Sequence, residues 1–134
     1  MGLTVVDAGI IIGVLDAADA HHQAAVQLLS TVIGEGDQIA VPASAYAEAL
    51  VGPARRGPSG RRVVDDFLAD LAGEVEPITR QAASRAAELR AKHGRRLKLP
   101  DALVVAIAMH LKADRILTTD RRWPKLPVKV VVAR

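Results

Sequence analysis

Five short apolar runs recur along the chain, at residues 3–6, 38–41, 75–78, 115–118 and 128–132, and helical patterns fill the first three intervals between them. Most of these runs are apolar with little polar alternation, as strands buried on both faces are. Strands that alternate with helices build an α/β domain around a largely parallel sheet with helices over both faces. That architecture is the expectation for residues 1–134, read as a single domain. Aromatic residues make up only 2% of the chain, namely Tyr46, Phe67 and Trp123. The core therefore has to be assembled from Ala, Val, Leu and Ile.

Helices are expected at 8–15, at 21–33 with Asp19 as N-cap, and at 43–51, opened by Pro42 and stopped by Gly52-Pro53. Residues 55–60 read as an exposed loop before a helix at 61–72. Thr79 caps a helix running to about residue 93, where Gly94 ends it. Pro100 opens a helix over 101–111 that is apolar nearly all round, which predicts a central, buried position.

Cysteine is absent, which excludes a disulfide framework, a thiolate zinc site and a cysteine nucleophile. Half of the residues are hydrophobic and the net charge is only +3, a balance that argues against intrinsic disorder. A pI near 9.7 is compatible with a polyanionic partner. The best apolar run, residues 3–15, carries Asp7 and falls short of the roughly 20 apolar residues a spanning helix needs. Met1-Gly2-Leu3-Thr4 lacks the basic region of a secretory signal. The expectation is a cytoplasmic protein with no membrane association.

Four acids stand in apolar settings. Asp7 ends the first strand, Glu48 is the only charge in the helix begun at Pro42, Asp101 opens the most apolar helix, and Asp120 follows the strand at 115–118. Each also has a local reading. Asp7 caps the following helix, Glu48 faces water, Asp120 makes a turn, and Asp101 gains about 0.3–1 kcal/mol from the dipole of its helix. Asp7 and Asp120 nevertheless share a location, the carboxyl ends of strands, where open α/β sheets hold their ligands. Two carboxylates 4 Å apart repel by ~4 kcal/mol at an effective dielectric of about 20, so a cluster of four requires a cation or protons. All-oxygen donors without cysteine or paired histidines suit Mg²⁺ or Mn²⁺ and suit zinc poorly. Carboxylate-held Mg²⁺ activates water towards a phosphodiester and stabilises the leaving oxygen.

Taken in order, Val5-Val6-Asp7, Glu48 in a Pro-Ala-Ser-x-x-x-Glu helix, Leu99-Pro100-Asp101-Ala102 and Leu117-Thr118-Thr119-Asp120 resemble the PIN domain. Size and layout are most similar to VapC, the toxin half of bacterial VapBC toxin–antitoxin pairs, and the resemblance covers essentially the whole chain. It implies a PIN-like three-layer α/β/α sandwich and a Mg²⁺- or Mn²⁺-dependent endoribonuclease that cuts structured RNA such as tRNA or ribosomal RNA. Asp7, Glu48, Asp101 and Asp120 match the family's acidic, metal-holding quartet, and Thr118 matches a hydroxyl residue that supports the first acid. The resemblance further implies a homodimer and a VapB-like antitoxin whose C-terminal segment enters the active-site groove. One departure stands out: the small hydroxyl residues that often follow the first acid are replaced here by Ala8 and Gly9.

Arg121 and Arg122 directly follow Asp120 and are placed to hold RNA phosphates. Trp123 either stacks on an unpaired base or packs with Pro124 and Pro127 as an edge anchor. The basic stretches 55–62 and 92–98 read as solvated surface or as further phosphate contacts. His21, His22, His93 and His110 have no ligand spacing with the acids. Other chemistries fit less well. A haloacid-dehalogenase-type hydrolase needs a second Asp where Gly9 stands, a receiver domain needs paired acids, and an RNase H-like nuclease opens on a strand hairpin. A non-catalytic PIN-fold binding module gains nothing from four mutually repelling acids.

Overall fold

A computed structural model describes residues 2–134. Its elements run β1 (Leu3–Val6), α1 (Ala8–Leu15), α2 (His22–Gly34), β2 (Gln38–Pro42), α3 (Ala43–Ala54), α4 (Pro58–Asp70), β3 (Glu74–Glu76), α5 (Arg80–His93), α6 (Leu99–His110), β4 (Arg115–Thr118) and β5 (Val130–Val132), with a 3-10 turn at Gly94–Arg96. The strands form one sheet in the order β3-β2-β1-β4-β5, and every pairing is parallel. Residues 4–6, 39–42 and 116–118 are buried throughout, so the central strands need helices on both faces. The result is a three-layer α/β/α sandwich, with a sheet that is wholly parallel.

From β1 the chain steps outward to β2 and then β3, and afterwards returns to lay β4 on the other side of β1. This reversal makes the carboxyl ends of β1 and β4 the switch point at which open α/β sheets bind ligands. In register, Val6 lies beside Leu117, so Asp7 and Thr118 emerge together.

The core is aliphatic, as the shortage of rings requires. Val5, Ile10, Val32, Val41, Val64, Val105 and Ile116 are fully buried, whereas Tyr46, Phe67 and Trp123 pack around the cluster only partly covered. Helix α6 buries Ala102 and residues 104–108, the central position its composition predicts. Each fully buried Val, Leu or Ile side chain contributes roughly 1.5–3 kcal/mol.

Several boundaries differ from the sequence expectation. Helix α3 passes through Gly52-Pro53 and ends at Ala54. Pro53 lies in the last turn, where the ring removes only one helical bond, and its carbonyl still accepts from Arg56 N at 2.9 Å. Helix α4 starts at Pro58, inside the expected loop, because the fixed φ of proline suits a first turn. Asp19 does not cap α2; its Oδ1 accepts from His21 N at 2.8 Å and closes the turn before the helix. Thr79 does cap α5, accepting from Ala82 N at 3.1 Å. Strand β3 is shorter than 75–78 because its partner β2 turns into helix after Pro42, and β5 pairs with β4 only over residues 130–132.

At the opposite end of the sheet a polar knot fastens the strand starts. Asp37 accepts from Gly2 N at 3.0 Å and from Thr4 Oγ1 at 2.6 Å, and pairs with Arg115 at 3.0 Å. Arg115 also pairs with Glu35. Among the described residues no helix is long and apolar enough to cross a membrane.

Candidate active site

Asp7 sits where β1 ends and α1 begins. Its backbone N–H donates to Leu117 O at 3.0 Å, continuing the sheet by one bond. Its Oδ1 accepts from Ala8 N at 2.8 Å, so it does cap α1. Its Oδ2 accepts from Thr118 Oγ1 at 2.8 Å, and both residues are buried, Asp7 being 8% exposed. The same Thr118 hydroxyl accepts from Asp120 N at 3.1 Å. One hydroxyl therefore orients two of the four acids.

Electrostatics ties all four together. Burial pushes the Asp7 carboxyl up, the bonds from Thr118 and Ala8 partly offset this, and Glu48 and Asp120 add repulsion. Asp101, in the first turn of α6, is pushed up to about 6, first by burial and then by Asp7 and Asp120. Glu48, in the second turn of α3, is exposed, as its local reading expects; partial desolvation and then Asp101 raise its carboxyl. Asp120 behaves differently. Burial alone raises it, but Arg122 outweighs this and leaves it below the usual carboxylate range. Arg122 N donates to Asp120 Oδ1 at 2.8 Å and Arg122 Nε to the same oxygen at 3.2 Å. Among the described residues, no three acidic or histidine side chains close on a single point at metal-ligand distance.

The donor set fits a hard divalent cation in its chemistry: all donors are carboxylate oxygens, and desolvation and mutual repulsion raise the carboxyls of Asp7, Glu48 and Asp101. Asp120 is the exception, since the guanidinium of Arg122 already neutralises it.

The PIN domain family model matches residues 4–129. The chain belongs to the PIN domain family. In fold it is similar to a toxin–antitoxin complex from Klebsiella pneumoniae, with 23% identity, 98% of each chain covered and a TM-score of 0.77. A second likeness is VapBC2 from Rickettsia felis bound to promoter DNA, with 15% identity, 96% of this chain and 97% of that one covered, and a TM-score of 0.75. A third is the sarcin–ricin loop cleaving toxin VapC20 from Mycobacterium tuberculosis, with 18% identity, coverage of 84% and 86%, and a TM-score of 0.70. At these identities the likeness is one of fold. A search of curated proteins returns no match.

Within this PIN domain the departure at Ala8-Gly9 has a spatial explanation. A Cβ on Gly9 would overlap the Thr119 hydroxyl, so the bare glycine is what lets Thr119 lie against α1. A hydroxyl is present beside the first turn of α1, but β4's end supplies it. Thr119 is the residue that sequence reasoning passed over; the Thr-Thr pair before Asp120 was its only signal.

Trp123 is half-buried and packed on the core, with Pro124 buried beside it. Its indole Nε1 is buried without an acceptor at hydrogen-bond distance. The indole N–H still lies near enough to Asp101 to favour that residue's charged form. Arg121 and Arg122 are exposed. Beside Glu48, a groove of about 270 Å³ is lined largely by apolar side chains of α1 and α3, including Ile11, Ile12, Leu15 and Pro53, with Arg56 at its edge.

Proposed function

We propose that this PIN domain is a Mg²⁺- or Mn²⁺-dependent endoribonuclease of the VapC toxin kind, acting on structured RNA such as tRNA or ribosomal RNA. The observation that supports the reading is the mutual repulsion among Asp7, Glu48, Asp101 and Asp120 at the switch-point end, where Asp101 is pushed up to about 6 by burial and by Asp7 and Asp120. A purely structural region has no use for carboxylates that repel one another, whereas a divalent cation relieves the repulsion.

Asp7, Asp101 and Asp120 would hold the metal, with Glu48 beside them. When bound, the cation supplies water activation and stabilisation of the leaving 3′ oxygen. Thr118 fixes the Asp7 carboxylate and the Asp120 backbone, so these two acids keep their places relative to each other. Arg122 serves Asp120 as a counter-ion; RNA phosphates and a metal compete for the two partners of that pair. Arg121 and Arg122 hold the RNA backbone. Trp123, seated on the core, presents the exposed part of its ring to an unpaired base. The expected products carry 5′-phosphate and 3′-hydroxyl ends.

Toxins of this fold in the solved complexes are seen with antitoxins. The groove beside Glu48, lined by Ile11, Ile12, Leu15 and Pro53 with Asp16 and Arg56 among its polar residues, suits the aliphatic side chains of an antitoxin segment. A homodimer is the proposed assembly. Sequencing RNA ends after induced expression tests the reading. Discrete new 5′-phosphate ends with the native chain, absent with Asp7→Asn, support it. Identical end profiles for both chains overturn it and leave a PIN fold that only binds.

A further inference from the structure

Beyond the acids, the switch-point end of the sheet carries a second polar feature. The 3-10 turn Gly94–Arg96 and the start of α6 face the loop after β4 across a cleft of about 260 Å³ lined by Arg95, Arg96, Lys98, Asp101, Asp120 and Arg122. The two carboxylates belong to the acidic site. Arg122 is the partner of Asp120 already described, and Arg95, Arg96 and Lys98 are the new element.

Arg95, Arg96 and Lys98 are exposed, and among the described residues none of them forms an ion pair. Lys98 is near enough to favour the charged forms of both Asp101 and Asp120. Arg122 lies across the cleft and is committed to Asp120. The cations on the 94–98 side thus line the acids' own cleft without being tied up in ion pairs.

This basic wall is fixed in place. Gly94 stops α5 at φ +59, a left-handed conformation that strains other residues. Leu97, between the two arginines and Lys98, is fully buried in the core, and its N–H donates to Gly94 O at 3.2 Å. A turn anchored by a buried leucine while its basic neighbours stay in water has the alternation of a built surface.

We propose that this cleft is a phosphate subsite, in which Arg95, Arg96 and Lys98 hold the RNA phosphodiester next to the one presented to the acids. The inference rests on the ribonuclease reading and extends it to a part of the chain that the acidic motifs do not reach. An RNA strand fits better than a free anion, because the cations line an open cleft and leave its far side to Arg122 and Asp120.

The test is binding of a labelled single-stranded RNA to the full chain in an Asp7→Asn background with Mg²⁺, followed by anisotropy between about 50 and 200 mM salt. Arg95→Ala/Arg96→Ala is compared with Arg80→Ala/Lys129→Ala, which removes equal charge elsewhere. Arg80 begins the 14-residue α5, roughly 20 Å from its carboxyl end, and Lys129 precedes β5 at the start of the sheet. The slope of log affinity against log salt is expected to become shallower by about 0.7 for each phosphate that is no longer neutralised, which weakens binding about fivefold per phosphate near 0.1 M salt. The far pair is expected to leave the slope unchanged, and Arg95→Lys/Arg96→Lys to retain it. Equal losses from both alanine pairs, or weaker binding at an unchanged slope, overturn the subsite. Orthophosphate that displaces the RNA as well as an unlabelled oligonucleotide does would make the cleft a free-anion site and overturn the RNA assignment. RNA that is neither bound nor cut by the native chain removes the ribonuclease reading itself, which separates the two failures.

Discussion

Replacing Asp101 by asparagine separates the two readings of that residue by sign. As a first-turn acid it gains about 0.3–1 kcal/mol from the helix dipole, so its loss destabilises the fold. As a member of a crowded carboxylate cluster its charge is a burden, so its loss stabilises the metal-free fold. The carboxyl is raised from 3.8 to about 6. At 1.36 kcal/mol per pKa unit this sets a ceiling of about 3 kcal/mol on the burden. Asp101 is only partly buried, and solvent screening reduces the figure to roughly 1.5 kcal/mol. Subtracting the dipole contribution leaves Asp101→Asn more stable by about 0.5–1 kcal/mol. Unfolding entropy is about 2.1 cal/mol/K per residue, so for 134 residues the gain corresponds to a Tm rise of about 2–4 °C. The pH dependence follows from the raised pKa. A carboxyl that binds its proton more tightly in the folded state costs stability once it ionises. The advantage of Asp101→Asn is therefore full above pH about 6 and fades towards pH about 4. Urea unfolding of both proteins in EDTA across that range measures it. An asparagine variant that is less stable at pH 8, or whose difference does not change with pH, refutes the cluster and leaves the helix-dipole reading. Adding Mg²⁺ is expected to stabilise the native chain and close the gap, because the ion binds the folded state alone.

Thr118→Val keeps the shape but leaves the Asp7 carboxylate short of a donor and Asp120 N without an acceptor; a loss of about 1.5–3 kcal/mol is expected in urea unfolding, and an unchanged midpoint counts against the role given to the hydroxyl. Gly9→Ala is expected to cost about 1–3 kcal/mol through overlap with Thr119, and the same change in a Thr119→Ala background to stabilise by up to about 1 kcal/mol through helix propensity, so a thermal melt should show a reversal of sign. Asp37 has its carboxyl held below the usual range, first by Thr4 and then, against some burial, by Arg115 and Gly2. Its contribution is present above pH about 4 and is lost as pH falls through the lowered value, so Asp37→Asn should shift the midpoint at pH 7 and progressively less in acid.

The parts legible in the sequence were those that depend on short-range pattern. Val5-Val6-Asp7 and Leu117-Thr118 show buried strands and the residues at their ends, and parallel topology then brings those ends together. The apolar surround of Asp101 announced a buried helix. Pairings that cross the fold were not legible. In the sequence Gly9 reads as a missing hydroxyl, whereas in the fold Thr119 packs against it where a Cβ would stand. Arg122 looked like a phosphate ligand, yet its first partner is Asp120. Proline does not mark the boundaries that its breaker character suggests: Pro53 lies inside the last turn of α3, and Pro58 starts α4. The stretch 92–98 leaves solvated surface and phosphate contact equally open in the sequence, because the burial of Leu97 that fixes its neighbours beside the acids is a tertiary feature.

Cleavage of a defined RNA by the purified chain, with Mg²⁺ titrated against EDTA, tests the central claim most directly. The expected result is metal-dependent cutting that leaves 5′-phosphate and 3′-hydroxyl ends and disappears in Asp7→Asn, while that variant still melts cooperatively. Cutting that persists in excess EDTA, or that Asp7→Asn carries out at the native rate, contradicts it.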